Sequence, residues 1–167
     1  AGGVKSNVHC GTVKQRHVVQ GFTGAMPSFQ GQLKERQIDA IVLMMKHLDT
    51  LVDADGNIME GPGFNVFAYD GGTLLTPARG MLEGIARRTV LELAAELGIS
   101  ASVEQFDASV LRNAEEVFIT STAGGVMPVT TLDGEQVGSG RPGPITLQLR
   151  QRYWEAHDED RWATPVA

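Results

Sequence analysis

Three short stretches of this chain combine residue types able to hold an anionic ring and protonate its nitrogen. Glu60 opens the run Glu60-Gly61-Pro62-Gly63-Phe64-Asn65-Val66-Phe67, a carboxylate at an expected strand end, followed by glycines that would admit a flat ligand. Gly84-Ile85-Ala86-Arg87 puts a glycine at the entry to an expected helix. Backbone N–H groups there lack helical partners and carry the positive end of the helix dipole behind them, which makes a general anion site. Thr122 offers a hydroxyl at a strand end beside Ala123-Gly124-Gly125, whose small residues let a ligand come close to the backbone. Together they supply phosphate donors and a carboxylate for a protonated ring nitrogen. Taken singly, each also reads as ordinary turn chemistry.

The elements that must position these residues are regular from Leu51 onward. Leu51-Val52, the turn Asp53-Ala54-Asp55-Gly56-Asn57 and Ile58-Met59 predict a hairpin. Asn65 to Tyr69 and Thr73 to Leu75, joined by Asp70-Gly71-Gly72, predict a second one. Leu82, Ile85, Ala86, Thr89, Val90, Leu93, Ala94 and Leu97 share a helical face that Gly98 closes. Val103 and Phe106 predict a strand, Ser109 to Ala114 a short helix, and Glu116 to Thr120 a strand entering the Thr122 segment. A hairpin around Asp133-Gly134 and a helix from about Pro144 to Ala156 complete the reading. Before these, residues 1–31 show little periodicity, and Gln32 to Leu48 reads as an amphipathic helix. The expected fold is therefore α+β or α/β, with a dissimilar N-terminal segment over residues 1–49 and a domain over 50–167.

The bulk composition bounds the functions. With 167 residues, of which 42% are hydrophobic and 20% charged, the chain can build an ordinary core. A formal net charge of -6 argues against nucleic acid or an anionic membrane as partner. The one cysteine permits no intrachain disulfide framework, and a reducing cytoplasm is the expected home. No secretory signal peptide is read, and the apolar run from Ala40 to Met45 is too short to span a bilayer.

Four motifs stand in order: EGPGFNVF at 60–67, MLEGIAR at 81–87, TSTAGGVMPVT at 120–130 and GRPGPIT at 140–146. Over residues 50–158 the chain resembles the C-terminal half of fold-type IV, pyridoxal-phosphate-dependent aminotransferases. That family includes branched-chain aminotransferases, D-amino-acid aminotransferases and (R)-selective amine transaminases, and the STAGGVMPVTTLDG run is most similar to the last. The resemblance implies that Glu60 pairs with the pyridine nitrogen and that Leu82 packs on the ring face. It implies that the N–H groups of Ile85 and Ala86, with the hydroxyl and backbone of Thr122, hold the phosphate. Ala123 and Gly124 would line the substrate side, and Asn65 would brace the site. Ala86 departs from the threonine of many relatives and keeps only a backbone donor. The implied substrates are an amino acid or primary amine and a 2-oxo acid, in a homo-oligomer.

The same resemblance calls for a lysine to carry the cofactor, roughly thirty residues before the carboxylate, near position 27. Residues 24–31 read GAMPSFQG, without one. Lys5, in Gly3-Val4-Lys5-Ser6-Asn7, echoes the neighbourhood of the family's lysine and is the candidate; Lys14, Lys34 and Lys46 fit less well. The family's N-terminal domain is not recognisable, so an incomplete aminotransferase is expected, or a non-catalytic domain that binds pyridoxal phosphate or self-associates.

Residues 24–48 have a resemblance of their own. Gly24-Ala25-Met26-Pro27-Ser28-Phe29, followed by GQLKERQIDAIVLMMKHL, resembles the C-terminal part of a class I cytochrome c, which makes Met26 a candidate haem ligand and the chain an electron carrier. The attachment pattern Cys-x-x-Cys-His is absent, so haem is disfavoured. Two resemblances meeting near residues 48–52 are expected of a fusion, a fragment or a designed chain. Asp53-Ala54-Asp55-Gly56-Asn57 reads as a turn rather than a calcium loop, and His9, Cys10, His17 and His47 match no zinc spacing. Arg150, Arg152 and Arg161 near Trp154 and Trp162 lie among Glu155, Asp158, Glu159 and Asp160, which cancel their charge.

Overall fold

The computed structural model describes residues 43–45 and 48–162. Among the described residues seven strands form one mixed sheet: β1 Leu43–Met45, β2 Asn65–Asp70, β3 Thr73–Thr76, β4 Ser100–Val103, β5 Glu116–Ser121, β6 Gly125–Leu132 and β7 Glu135–Gln136. Their order is β1-β6-β5-β2-β3-β4, with β7 also paired to β6. β1 runs parallel to β6 and β4 parallel to β3, while the remaining pairs are antiparallel. Among the described residues three α-helices accompany the sheet: α1 Ile85–Glu96, α2 Ala108–Asn113 and α3 Pro144–Ala156. The expected α+β class is what the chain adopts.

Alternation along the strands sorts the core into two faces. Val66 and Ala68 of β2, Val117 and Ile119 of β5 and Val129 of β6 point into one cluster with Leu48, Leu51, Ile58, Phe106, Leu111 and Leu132. The intervening Phe67 and Phe118 turn to the other face, where their rings stack with centroids 4.9 Å apart. Helix α1 packs against β4 and β5, burying Ala86, Arg87, Val90, Leu93 and Ala94 at three- and four-residue spacing.

Most local expectations hold. Val52 and Ile58 form an antiparallel bridge around a turn in which the Asp53 carboxylate accepts from the N–H groups of Asp55 and Asn57, each at 2.9 Å. The β2–β3 and β6–β7 hairpins lie at the expected turns, and α1, α2 and α3 match their expected positions. Phe106 is buried but outside the strand that holds Val103.

The helix expected over Gln32 to Leu48 is corrected at its C-terminal end. Leu43–Met45 is strand β1, and Leu48–Leu51 is a 3-10 turn whose Leu48 N–H donates to Asp133 Oδ1 at 2.9 Å. The apolar run gains more as a strand, because β6 offers it a parallel edge. Residues 32–42 of that expectation, and the loop before it, lie outside the described residues. The compact unit that contains the sheet runs Ala40–Tyr153.

Candidate functional site

The turn after Glu60 follows from its residues. Gly61 O accepts from Phe64 N–H at 3.2 Å around Pro62-Gly63, and Gly63 has φ +84°. Proline at the second position and a left-handed glycine at the third define a type II turn. The Phe64 ring lies on Gly61, where a Cβ would not fit. The chain reverses there and enters β2 at Asn65, which pairs with Thr120 of β5. Glu60 is thereby set at the edge of a rigid strand pair.

Glu60 is held on one oxygen. Its Oε2 accepts from Asn65 Nδ2 at 3.0 Å and from Leu82 N–H at 2.8 Å. Its Oε1 has no hydrogen-bond partner among the described residues. Asn65 Nδ2 also donates to Leu82 O at 2.8 Å, and Leu82 O accepts from Gly84 N–H at 2.8 Å. The Leu82 peptide is thus pinned at both ends while its side chain stays 72% exposed. Gly84 is required by close approach, since a Cβ there would run into Asn65 Oδ1.

Helix α1 begins next. Its first backbone bond is Arg88 N–H to Gly84 O at 3.0 Å, and Gly84 has no side chain to cap the N-terminus. The N–H groups of Ile85, Ala86 and Arg87 therefore have no helical acceptor, the arrangement that attracts an anion. The Ile85 side chain is 75% exposed, while Ala86 is buried. Arg87 anchors this end: buried, it donates from Nε to Thr76 Oγ1 at 3.1 Å and from a terminal nitrogen to Pro77 O at 2.9 Å. Thr76 Oγ1 in turn donates to Val66 O at 2.9 Å. Burial lowers the Arg87 pKa from its ordinary value, an effect Glu83 opposes.

Thr122, Ala123 and Gly124 form the turn between β5 and β6, where Ser121 pairs with Gly125. Ser121 Oγ accepts from Gly124 N–H at 3.0 Å, and the Met127 side chain lies against Gly124 so closely that a Cβ would not fit. Because the end of β5 pairs with the start of β2, this turn lies at the same end of the sheet as the Glu60 turn and the start of α1. Thr122 and Ala123 are exposed.

The structure brings Glu60, Asn65 and Leu82 into one hydrogen-bonded group and places Ile85, Ala86, Thr122, Ala123 and Gly124 around the same sheet end. Lys5, Lys14, Lys34, Lys46 and Met26, with His9, Cys10, His17 and His47, lie outside the described residues. Sequence reasoning missed the Arg87–Thr76 anchor and the Ser121 brace. The second had a local signal, a serine three residues before a turn glycine. The first joins residues from two elements and had none. Among the described residues no group of three or more His, Cys, Asp or Glu could hold a metal, and no helix is long and apolar enough to cross a membrane. Of the arginines weighed for stacking on nucleic acid, Arg152 is paired with Glu96 at 3.0 Å and Arg161 with Glu159 at 2.9 Å.

Known proteins are similar to this chain in sequence and fold. The profile of the amino-transferase class IV family matches residues 20–132. That match takes in the whole segment, 24–48, in which a cytochrome c tail was expected, and β1 replaces part of the expected closing helix, so the cytochrome resemblance does not hold. The branched-chain-amino-acid aminotransferase of Salmonella typhimurium is 38% identical over 122 residues, 69% of this chain and 40% of that protein. The D-alanine aminotransferase of Bacillus licheniformis is 40% identical over 104 residues, 61% of this chain and 37% of that protein. Among solved structures, the branched-chain aminotransferase of Thermoproteus uzoniensis with norvaline superposes with TM-score 0.64 at 34% identity, covering 70% of this chain and 40% of that one. Another branched-chain amino acid aminotransferase, solved with pyridoxamine 5'-phosphate, superposes with TM-score 0.65 at 35% identity over the same shares of the two chains. The chain spans about 40% of the length of such relatives.

Proposed function

Because this chain belongs to the class IV aminotransferase family, we propose that it carries the ring-nitrogen and phosphate side of a pyridoxal 5'-phosphate site, serving amino transfer between an amino acid or primary amine and a 2-oxo acid. The observation that carries the reading is the fixed Glu60 carboxylate beside the uncapped N-terminus of α1. The donor set fits the group: a carboxylate with one unpartnered oxygen suits a protonated pyridine, and free N–H groups suit a phosphate. Bound pyridoxal phosphate supplies an electron-withdrawing ring.

The chain's own residues do the rest. Glu60 would hold a proton on the ring nitrogen through its Oε1. The exposed Leu82 side chain would cover the ring and exclude water there. The N–H groups of Ile85 and Ala86 would orient the phosphate, and Thr122 would add a hydroxyl and an N–H from the turn at the same sheet end. Ala123 and Gly124 leave room for a substrate carboxylate or bulky group, with Met127 packed on Gly124. Lys5 is the candidate for the amine that carries the cofactor and moves the proton. A reducing cytoplasm is the proposed setting, in keeping with a single cysteine.

A second reading is cofactor binding or self-association without catalysis. One observation favours it: residues 47–167 contain no lysine. The exposed Leu82 and Ile85 side chains are apolar surface that a second copy could cover. Borohydride reduction of the chain with pyridoxal phosphate, followed by peptide mapping, separates the readings. A stoichiometric adduct at Lys5 supports amino transfer by this chain. Saturable binding without an adduct supports cofactor binding without catalysis, and no binding contradicts every reading but self-association, which sedimentation tests.

A further inference from the structure

We propose that Asn65 is the positioning residue of this half-site: its carboxamide aims the Glu60 carboxylate at a ring nitrogen. The proposal rests on the reading of the site as one for pyridoxal phosphate.

The carboxamide has two N–H donors, and both are engaged, one on Glu60 Oε2 at 3.0 Å and one on Leu82 O at 2.8 Å. Its orientation is set by chemistry. Turned over, Oδ1 would face a carboxylate and a carbonyl, two acceptors with no proton between them. Its position is set by packing, since Asn65 is 6% exposed, heads strand β2 and has Oδ1 against Gly84.

The consequence falls on Glu60. With Asn65 and Leu82 N–H both on Oε2, the carboxylate is locked at one oxygen, and Oε1 remains to meet a ring N–H. Without Asn65, Glu60 would keep only the Leu82 N–H, which belongs to an exposed segment that Asn65 itself ties down. The phosphate donors are fixed by a different route, through Arg87 to Thr76 and Pro77. Loss of Asn65 therefore falls chiefly on the ring nitrogen, because Arg87 still holds the start of α1, and an experiment can separate the two.

The probes are pyridoxamine 5'-phosphate, which has the ring nitrogen, and benzyl phosphate, which lacks it. Calorimetric affinities are measured for the chain as it stands and for Asn65→Ala, Gly84→Ala, Glu60→Gln and the double variant Asn65→Ala/Glu60→Gln. The wild-type chain should prefer pyridoxamine 5'-phosphate. Asn65→Ala should weaken that ligand about tenfold, the scale of one hydrogen bond to a charged group, and leave benzyl phosphate unchanged. Gly84→Ala, which displaces the carboxamide, should also weaken pyridoxamine 5'-phosphate. The Asn65→Ala effect should vanish in the Glu60→Gln background. Hydrogen exchange checks the fold: Asn65→Ala should speed exchange at Leu82 N–H and leave Arg88 N–H protected. Equal weakening of both ligands, or an undiminished effect in the Glu60→Gln background, overturns the positioning role. If the wild-type chain binds neither probe, the cofactor reading fails first and this proposal falls with it, an outcome distinct from wild-type binding that Asn65→Ala leaves unchanged.

Discussion

Glu60 Oε2 accepts two N–H groups from residues 5 and 22 positions away in sequence, an arrangement that gives a carboxylate a direction. Direction matters more than charge here, because an exposed side chain that must order itself on binding spends free energy doing so. Glu60, Leu82, Ile85, Ala86 and Thr122 were named from the sequence because the motifs that carry them are short and local. The bonds that aim them were not legible, since Asn65 reaches Leu82 only once β2 and the approach to α1 have come together. A second carboxylate shows the same logic in a purely structural role. Asp107 caps α2, its Oδ1 accepting from Ser109 N–H at 2.6 Å. Hydrogen bonds from the Ser109 side chain and backbone, with Arg112 nearby, hold its carboxyl below the ordinary value of 3.8. A folded-state pKa lowered in this way stabilises the fold above the unfolded value, and that stability is lost as pH falls through the folded value. Asp107→Ala should therefore lower the urea midpoint at neutral pH and flatten its fall on acidification below 3.8. An unchanged acid limb would contradict the cap's contribution.

Helix ends are treated differently at α1 and α3. The N-terminus of α1 has no side-chain cap and carries the candidate phosphate donors. The N-terminus of α3 is closed from within: buried Glu116 of β5 accepts from Ile145 N–H at 3.0 Å and from Thr146 N–H at 2.7 Å. The GRPGPIT motif is explained by this contact, because a Cβ on Gly143 would run into the Glu116 carboxylate. A helix end already holding its own carboxylate has no use for an external anion, so the contrast supports α1 as the phosphate end in the proposed function. Glu116→Ala strands the two N–H groups and should cost about 2 kcal/mol of stability in denaturant titration, while leaving phosphate-ligand affinity nearly unchanged. A comparable loss of that affinity would contradict the division of labour. At this scale the hairpins and helices were legible because turn residues and periodicity are local. β1 was not, since a short apolar run is compatible with either helix or strand and only its parallel pairing with β6 decides.

Across the whole chain, one sheet end gathers a carboxylate, an apolar cover and two sets of anion donors from segments spread over residues 60–124. The antiparallel register of β2 with β5 does this, because it brings the turn after β5 to the turn before β2. That juxtaposition gives the first three motifs a shared location, while GRPGPIT meets Glu116 at the other end of β5; it is long-range, so no window of the sequence displays it. The family match over residues 20–132 extends ahead of the described sheet, and the chain spans about 40% of its relatives' length. Under the proposed function, catalysis would turn on a lysine such as Lys5, while cofactor recognition would turn on the sheet end. Recognition is the central claim, and a titration of the 15N-labelled chain with pyridoxamine 5'-phosphate tests it most directly. Saturable shifts should appear at the Ile85, Ala86 and Thr122 amides and at the Asn65 side-chain amide, while the distant turn at Asp133-Gly134 stays still. Shifts absent from those four groups, or centred on another part of the molecule, would contradict the account.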